Sequence, residues 1–210
     1  MKFKDRHDAG RRLAQALDVW RGRSDVLVLA LPRGGVPVAW EVAHALGAPL
    51  DVLVVRKLGY PGQEEFAMGA IASGGIRVMS DAEGTWPVSE RQLEAVVARE
   101  QIELARREQR YRAGRPPLQM TGRVLILVDD GLATGATMSA AVKAARMANP
   151  ERIVVAVPVA SAEAIQSVGT LADEVVCPYM PEHFRAVGLW YQDFAQTSDE
   201  EVDQLLSGSA

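Results

Sequence analysis

The sequence predicts an α/β protein with a doubly wound, mainly parallel five-stranded sheet and helices on both faces. Two observations carry this prediction. Five short runs rich in Val, Ile and Leu do not alternate with polar residues, which is typical of strands buried on both faces and usually parallel. Helical patterns lie between most of these runs, and this alternation favours an open, doubly wound sheet. The five runs are residues 26–31, 51–55, 123–128, 152–159 and 174–177.

The predicted helices carry boundary signals of their own. The first places Leu13, Leu17 and Trp20 on one face, as an amphipathic helix does. The second has Pro37 in its first turn and Gly47 directly after its end, an asymmetry that is typical of helices. The helices predicted around the core are residues 8–21, 36–46, 137–148 and 162–168.

The segment between the second and third core strands does not follow the alternation of strands and helices. Its first part, RKLGYPGQEEF (56–66), is polar and contains glycine, so we expect a loop there. The next part, AMGAIASGGIRVMS (67–80), has two short apolar runs around a Ser-Gly-Gly turn and predicts a hairpin. A long helix over 89–112 is expected to follow, because Ser89 and Gln92 have the spacing of a capping box.

The length of 210 residues suits a single domain over residues 1–210. The segment after Cys177 is aromatic-rich and irregular, and we expect it to form a C-terminal hood with a short helix capped by Ser198. The expected division is a core at about 24–57 and 120–177, an insertion with a flexible loop, hairpin and long helix at 58–119, and a hood at 178–210.

Composition excludes several classes of protein. The formal net charge of −4 and the absence of a one-signed basic block argue against a nucleic-acid partner. The single cysteine, Cys177, excludes an intrachain disulfide and a thiolate zinc cluster, and it fits a reducing compartment. No apolar run approaches the ~20 residues of a membrane span, and the N-terminus lacks the apolar core of a signal peptide. We therefore expect a cytoplasmic protein with no membrane partner.

The stretch VLILVDDGLATGATMSAAV (124–142) raises the main functional question. Asp129 and Asp130 follow a buried strand, at the sheet edge where open α/β proteins bind ligands. The next turn contains glycine and leads into a helix N-terminus, which favours a phosphate. Carboxylates repel phosphate, so they would face another part of the ligand, either vicinal hydroxyls or a divalent cation. The alternative is a solvated Asp-Asp turn before an ordinary helix.

VLILVDDGLATGAT resembles the phosphoribosyl-pyrophosphate (PRPP) signature of type I phosphoribosyltransferases. Competing phosphate-binding motifs, the P-loop and the dinucleotide fingerprint, are absent from the sequence. The resemblance implies that Asp129 and Asp130 hydrogen-bond the ribose 2- and 3-hydroxyls. It also implies a loop that holds the 5-phosphate, formed by Ala133, Thr134, Gly135, Ala136 and Thr137.

Two further segments are similar to pyrophosphate-binding parts of that family. The first core strand ends in ALPRGGVPVA, where Arg33 is a multidonor cation and Gly34 and Gly35 allow close backbone approach. The family has a pyrophosphate loop here, often with a non-proline cis peptide; without the resemblance, a tight strand–helix turn is an equal interpretation. Arg56 and Lys57 follow the second strand and resemble the Arg-Lys-x-Gly stretch of adenine phosphoribosyltransferases, although a solvated basic turn is the alternative.

The resemblance implies displacement of pyrophosphate from ribose C1 by a nitrogen nucleophile. Mg²⁺, bound mainly through PRPP and pyrophosphate, would stabilise the leaving group together with the basic residues. No protein-only metal site is expected. Hypoxanthine-type enzymes keep a third acid where this chain has Ala133, so the proton-handling group is sought elsewhere. Glu64 and Glu65 in the expected loop are candidates, although adjacent glutamates in a polar loop are more often solvated.

The implied partners are PRPP and a nucleobase-like small molecule, and the hood would read the base. Hood aromatic residues could stack on a ring, but packing is the more common role of such residues. A non-catalytic sensor of PRPP or a nucleotide on the same fold is the alternative function. Family members are commonly dimers, so we expect a homodimer. The hood aromatics are Tyr179, Phe184, Trp190, Tyr191 and Phe194.

Overall fold

The computed structural model describes residues 2–79 and 87–208, and the side chain of Glu65 lies outside the described part. Its strands are β1 (Val26–Ala30), β2 (Leu50–Val52), β3 (Val55–Tyr60), β4 (Gln63–Ala72), β5 (Ile76–Met79), β6 (Val124–Val128), β7 (Arg152–Ala156) and β8 (Glu174–Val176). Its α-helices are α1 (Arg6–Ala16), α2 (Gly35–Leu46), α3 (Glu90–Arg112), α4 (Ala136–Arg146), α5 (Ala162–Gly169) and α6 (Asp199–Ser207). Short 3₁₀ turns lie at Asp18–Trp20 and Val187–Trp190.

The central sheet has five strands in the order β2-β1-β6-β7-β8, and all of its pairings are parallel. Because successive side chains of a strand point to opposite faces, the apolar strands supply two cores. Val26 and Val28 of β1 enter a core with α1, α2, α3 and α6, whereas Leu27 and Leu29 enter a core with α4 and α5. The doubly wound fold is therefore confirmed, with helices on both faces of a sheet that is wholly parallel.

The segment after β2 differs from the sequence-based prediction. The second core strand was expected over 51–55, but β2 ends at Val52 and Val55 already belongs to β3. The prediction of a loop over 56–66 was wrong, because β3 and β4 form an antiparallel pair there. With β5, whose hairpin to β4 was predicted, they make a separate three-stranded sheet. This small sheet packs between α3 and α4.

The helix boundary signals are mostly confirmed. Ser89 and Gln92 form the predicted reciprocal capping box at the start of α3. Ser161 and Ser198 accept N–H hydrogen bonds at the starts of α5 and α6. The first helix is shorter than predicted, since α1 ends at Ala16 and a 3₁₀ turn follows. Among the described residues, no helix combines the length and apolar character that crossing a membrane requires.

The N-terminal segment meets residues 190–192 of the hood beside the carboxyl edge of the central sheet. The Phe3 N–H donates to the Trp190 carbonyl at 2.8 Å, and the Gln192 N–H donates to the Phe3 carbonyl at 2.8 Å. The Phe3 and Tyr191 rings lie 5.4 Å apart within a small buried cluster. The hood segment is thus attached to the residues just before α1, while α6 continues on to pack against α2 and α3.

Candidate active site

The acid pair lies against the turn that follows β1. A Cβ atom added at Gly34 would lie 2.2 Å from Asp130 Oδ2, and one added at Gly35 would lie 2.7 Å from the Val128 carbonyl oxygen. Real Cβ atoms do not approach so closely, so both positions require glycine because the two loops touch. The sequence suggested that these glycines admit a ligand. The structure adds that they admit the acid pair itself, which joins residues 33–35 and 129–130 into one surface.

Each carboxylate of the pair has one oxygen engaged by the protein. Asp129 Oδ1 accepts a hydrogen bond from the Asp130 backbone N–H at 2.8 Å. Asp130 Oδ2 accepts one from Arg6 Nε at 2.9 Å, and these two side chains are 15% and 12% exposed. The other two oxygens, Asp129 Oδ2 and Asp130 Oδ1, accept no hydrogen bond from the part of the chain that the structure describes. The site therefore offers two carboxylate acceptors to a ligand.

Burial makes this pair electrostatically costly. Burial raises the pKa of Asp129 well above its usual value, and the neighbouring Asp130 carboxylate raises it further. Burial also raises the pKa of Asp130, but the nearby Arg6 guanidinium opposes that effect. Desolvation and a like charge both disfavour the ionised forms. An arrangement that destabilises the fold while presenting free acceptors is typical of a functional site.

Asp129→Asn is therefore expected to stabilise the protein at pH 7. A carboxyl whose folded pKa is raised contributes most to stability at low pH, and this contribution is lost as the pH rises. Asparagine removes that loss and keeps an Oδ1 acceptor for the Asp130 N–H. We expect the melting temperature to rise at pH 7, where 1 kcal/mol corresponds to roughly 2–4 °C for a chain of this size. The gain should shrink towards pH 4; a melting temperature lowered at pH 7 would contradict the electrostatic interpretation.

The predicted phosphate loop has an open helix N-terminus. Gly135 precedes α4 with φ +73°, a left-handed conformation that suits glycine. The Ser139 N–H donates to the Gly135 carbonyl at 2.8 Å and the Ala136 N–H donates to Thr134 Oγ1 at 3.4 Å, so among the described contacts the N–H groups of Thr137 and Met138 are left for an anion. Thr134 and Thr137 are exposed beside them. Ser161 anchors the loop to the start of α5, since its hydroxyl donates to the Ala133 carbonyl at 2.7 Å.

Arg33 lies in the turn beside the acid pair. The Pro32–Arg33 peptide is cis, a feature that the sequence did not reveal. Arg33 Nη1 lies 3.7 Å from Asp199 Oδ1, and about a third of each side chain is exposed. The Tyr111 hydroxyl also donates to Asp199, and burial together with this carboxylate raises the pKa of Tyr111 to about 12. The long, exposed Arg33–Asp199 contact is weak enough for a phosphate group to replace it.

Arg56 and Lys57 point to opposite faces of the small sheet. Arg56 Nε and Nη2 donate to Glu100 Oε2 of α3, at 2.9 and 2.6 Å. The anion that compensates this half-buried arginine is therefore part of the protein. Lys57 pairs with Ala70, which lines a cleft against Thr134 at the start of α4. Lys57 itself has no hydrogen bond or ion pair with residues that the structure describes.

The candidate acids for proton transfer lie on β4. Glu64 is exposed, and its Oε1 accepts from Arg99 Nη1 of α3 at 3.3 Å. The side chain of Glu65 falls outside the described residues. In the described ranges, no group of three or more His, Cys, Asp or Glu side chains is placed to hold a metal ion.

Two residues of the site were missed from the sequence. Arg6, the first residue of α1, binds Asp130, although 124 positions separate them. The Tyr191 hydroxyl donates to the Asp130 backbone carbonyl at 2.6 Å. Tyr191 was considered only for stacking or packing, and in the structure it is buried. Arg6 carried no local signal, because it is one of several arginines near the N-terminus.

The acid pair and the turn that opens α4 thus lie together at the carboxyl edge of a wholly parallel sheet. The family model described as "Phosphoribosyl transferase domain" matches residues 3–188. The chain belongs to this family.

Three relatives illustrate the relationship. A Mycobacterium tuberculosis (strain H37Rv) protein provisionally named as a phosphoribosyl transferase is 51% identical over 206 residues, covering 97% of this chain and 46% of that protein. The chain thus spans about half the length of this relative. The solved structure of TT1426 from Thermus thermophilus is 46% identical with a TM-score of 0.91, and the match covers 100% of both chains. The "Bifunctional protein PyrR" of Chloroflexus aurantiacus is 37% identical over 129 residues, covering 60% of this chain and 65% of that protein.

Proposed function

We propose that the chain is a PRPP-dependent phosphoribosyltransferase, which transfers a 5-phosphoribosyl group to a nucleobase or related nitrogen acceptor and releases pyrophosphate. The observation that carries this proposal is the pairing of two free carboxylate oxygens with an open helix N-terminus one turn further on. Asp129 Oδ2 and Asp130 Oδ1 would accept hydrogen bonds from the two ribose hydroxyls. Residues 133–137 would hold the 5-phosphate.

The remaining groups can be arranged around this ligand. With the ribose held by the acid pair, pyrophosphate would extend towards the turn that carries Arg33, which adjoins Asp130 through Gly34. Lys57 would supply a second cation from the small sheet. The buried carboxylates would also stabilise positive charge that develops on the ribose ring. These are positioning and electrostatic roles, and none requires a protein side chain to form a covalent bond.

Mg²⁺ fits this site as a companion of the substrate. The two free carboxylate oxygens are assigned to the ribose hydroxyls, and the described residues lack the three-acid cluster of a protein-only cage, so the ion would be bound by substrate and water. When bound through PRPP and pyrophosphate, the ion would neutralise charge on the leaving group. A homodimer and a cytoplasmic location complete the proposal as expectations from the family resemblance and the sequence composition.

The proton-handling group stays open between two glutamates. Glu64 would have to release Arg99 before accepting a proton from the acceptor base. Glu65, its neighbour on β4, is the other candidate. Neither role is needed for PRPP binding, so the ribose site can be tested separately from catalysis.

A PRPP or nucleotide sensor is the second candidate function. Two residues that were proposed to act in catalysis already form ion pairs within the protein, which favours a sensor. Arg56 is bound to Glu100, and Glu64 is bound to Arg99. The similarity to a protein named "bifunctional" makes a combined role a further form of this alternative. The free Lys57 and the glycine turn at Arg33 favour the enzyme, since both suit pyrophosphate.

The decisive experiment incubates the protein with PRPP, MgCl₂ and a panel of purine and pyrimidine bases while pyrophosphate release is measured. We expect release with at least one base and none without a base. PRPP binding by calorimetry, run in parallel, separates the candidates. Binding without turnover across the panel would favour the sensor, and absence of PRPP binding would contradict both the enzyme and a PRPP sensor.

A further inference from the structure

We propose that Arg6 is a positioning residue of the ribose site: it holds the Asp130 carboxylate in the orientation that accepts a ribose hydroxyl. This inference rests on the proposed function, because it concerns how the same acid pair recognises its ligand. It adds a residue from the N-terminal helix to a site otherwise formed by loops that follow β1 and β6.

The first argument is the geometry of the contact. Arg6 Nε lies 2.9 Å from Asp130 Oδ2, and both side chains are largely buried. Oδ2 is also the oxygen that faces the Gly34 backbone. The arginine therefore occupies the inner oxygen and leaves Oδ1 as an acceptor with no hydrogen bond from the described residues. A carboxylate held at one oxygen presents the other in a fixed direction, which lowers the cost of binding a hydroxyl.

The second argument is that the guanidinium is itself fixed from three sides. Arg6 Nη1 donates to the Ala195 carbonyl at 2.7 Å, while Nε donates to Asp130. The Arg6 Cζ atom lies 4.0 Å from the centre of the Phe194 ring. A planar group with N–H donors in two directions and an aromatic ring below it has little freedom to rotate. Lysine carries N–H donors too, but it lacks the planar group that packs on the ring.

The third argument concerns what Arg6 joins. The segment that contains Ala195 is also tied to the acid pair through Tyr191, whose hydroxyl donates to the Asp130 carbonyl at 2.6 Å. Asp130 is thus held by α1 through its side chain and by the hood segment through its backbone. The ribose site and the segment expected to read the acceptor form one connected unit, with Arg6 in contact with both.

The charge of Arg6 acts in the same direction as its geometry. A ribose hydroxyl donates to an ionised carboxylate, and burial disfavours that ionised form. Arg6 opposes this effect at Asp130. Removal of the arginine should therefore loosen the carboxylate and also weaken its capacity as an acceptor.

The test compares two probes on the full chain by calorimetry: ribose 5-phosphate and 2,3-dideoxyribose 5-phosphate, which lacks both hydroxyls. The ratio of their dissociation constants isolates the hydroxyl contacts from the phosphate loop. Each hydrogen bond to a charged group contributes about 1.5–3 kcal/mol, and the probe without hydroxyls loses two of them, so we expect wild-type protein to prefer the hydroxylated probe by at least ~100-fold. In Arg6→Gln we expect this preference to fall by about 10-fold, because the contact at Asp130 weakens while the contact at Asp129 remains, with affinity for the dideoxy probe unchanged.

Two further variants complete the design. Arg6→Lys keeps the charge but not the planar geometry, and we expect an intermediate preference; it also replaces Arg6→Gln if that variant does not fold. Arg11→Gln is the matched control, because Arg11 lies on the same helix and binds a carboxylate, Glu41, at 2.9 Å. Its preference should equal that of wild type.

The outcomes separate this inference from the function on which it rests. If wild-type protein binds neither ribose 5-phosphate nor PRPP, the proposed function fails and the role of Arg6 fails with it. If wild-type protein shows the hydroxyl preference and Arg6→Gln or Arg6→Lys retains it in full, only the role of Arg6 fails. Tighter ribose 5-phosphate binding in Arg6→Gln would also overturn it, because Arg6 would then be a competitor for Asp130.

Discussion

Combining Asp129→Asn with Asp130→Asn is expected to reduce the affinity for PRPP at least ~100-fold while the chain still folds. Each carboxylate has one oxygen without a partner among the described residues, so each can accept one ribose hydroxyl. Hydrogen bonds to charged acceptors contribute about 1.5–3 kcal/mol each, and 1.4 kcal/mol corresponds to tenfold in affinity. Calorimetric titration with PRPP measures the loss, and circular dichroism measures the fold.

The fold should survive because asparagine keeps the contacts that the protein itself makes. The Oδ1 atom of an asparagine at position 130 can still accept a hydrogen bond from Arg6. The Oδ1 atom of an asparagine at position 129 can still accept one from the backbone N–H of residue 130. Asp18→Asn with Asp25→Asn is the matched control, since both carboxylates are exposed surface partners of arginines before or at the amino end of β1. The control should bind PRPP like wild type. Unchanged PRPP affinity in the acid-pair variant would remove the basis of the proposed function.

The parts of this site that lie close together in sequence were predictable, since their chemistry is local. The acid pair and the phosphate loop follow one buried strand within nine residues, Asp129 to Thr137, and their order carries the information. The glycine turn after β1 is equally local. Strands buried on both faces were recognisable for the same reason, because their apolar composition does not depend on any distant partner.

The contacts that were missed depend on partners far along the chain. The segment 56–66 was interpreted as a loop because it is polar. In the structure its charges are compensated across elements: Arg56 by Glu100 and Glu64 by Arg99, both on α3. A strand whose polar residues are paired by a distant helix has no signature of its own. The Arg6–Asp130 contact could not be predicted for the same physical reason, since only the fold brings the N-terminal helix to the end of β6.

Arg56 and Lys57 were predicted from the sequence to act together, but as consecutive residues of β3 they point to opposite faces of the small sheet. Lys57→Met is expected to weaken pyrophosphate binding by about 10-fold or more, because an unpaired cation near an anion supplies a charge-assisted hydrogen bond. It should leave the melting temperature nearly unchanged, since Lys57 has no partner among the described residues. Arg56→Met is expected to lower stability and to leave pyrophosphate affinity nearly unchanged. It leaves Glu100, whose side chain is 10% exposed, without its main partner.

The size of the Arg56 effect follows from burial. Breaking a buried ion pair costs about 3–5 kcal/mol, but Arg56 is 30% exposed and Glu100 keeps Arg99 at 3.1 Å, so we expect a cost of about 1–3 kcal/mol. Chemical denaturation measures this loss. Arg56→Met with Glu100→Leu should recover most of it, since no buried charge is then left unpaired.

Measuring both properties in both variants tests the register itself. If Arg56 and Lys57 lay in a polar turn after the second strand, as the sequence suggested, each substitution would affect pyrophosphate affinity and neither would affect stability. If β3 places them on opposite faces, the effects divide, with stability lost at position 56 and pyrophosphate affinity lost at position 57. A pyrophosphate affinity lost equally in the two variants, with stability intact, would contradict the structural assignment of Arg56 to Glu100. The divided result would instead mean that only one cation of the Arg-Lys pair is available to the substrate, because α3 already holds the other.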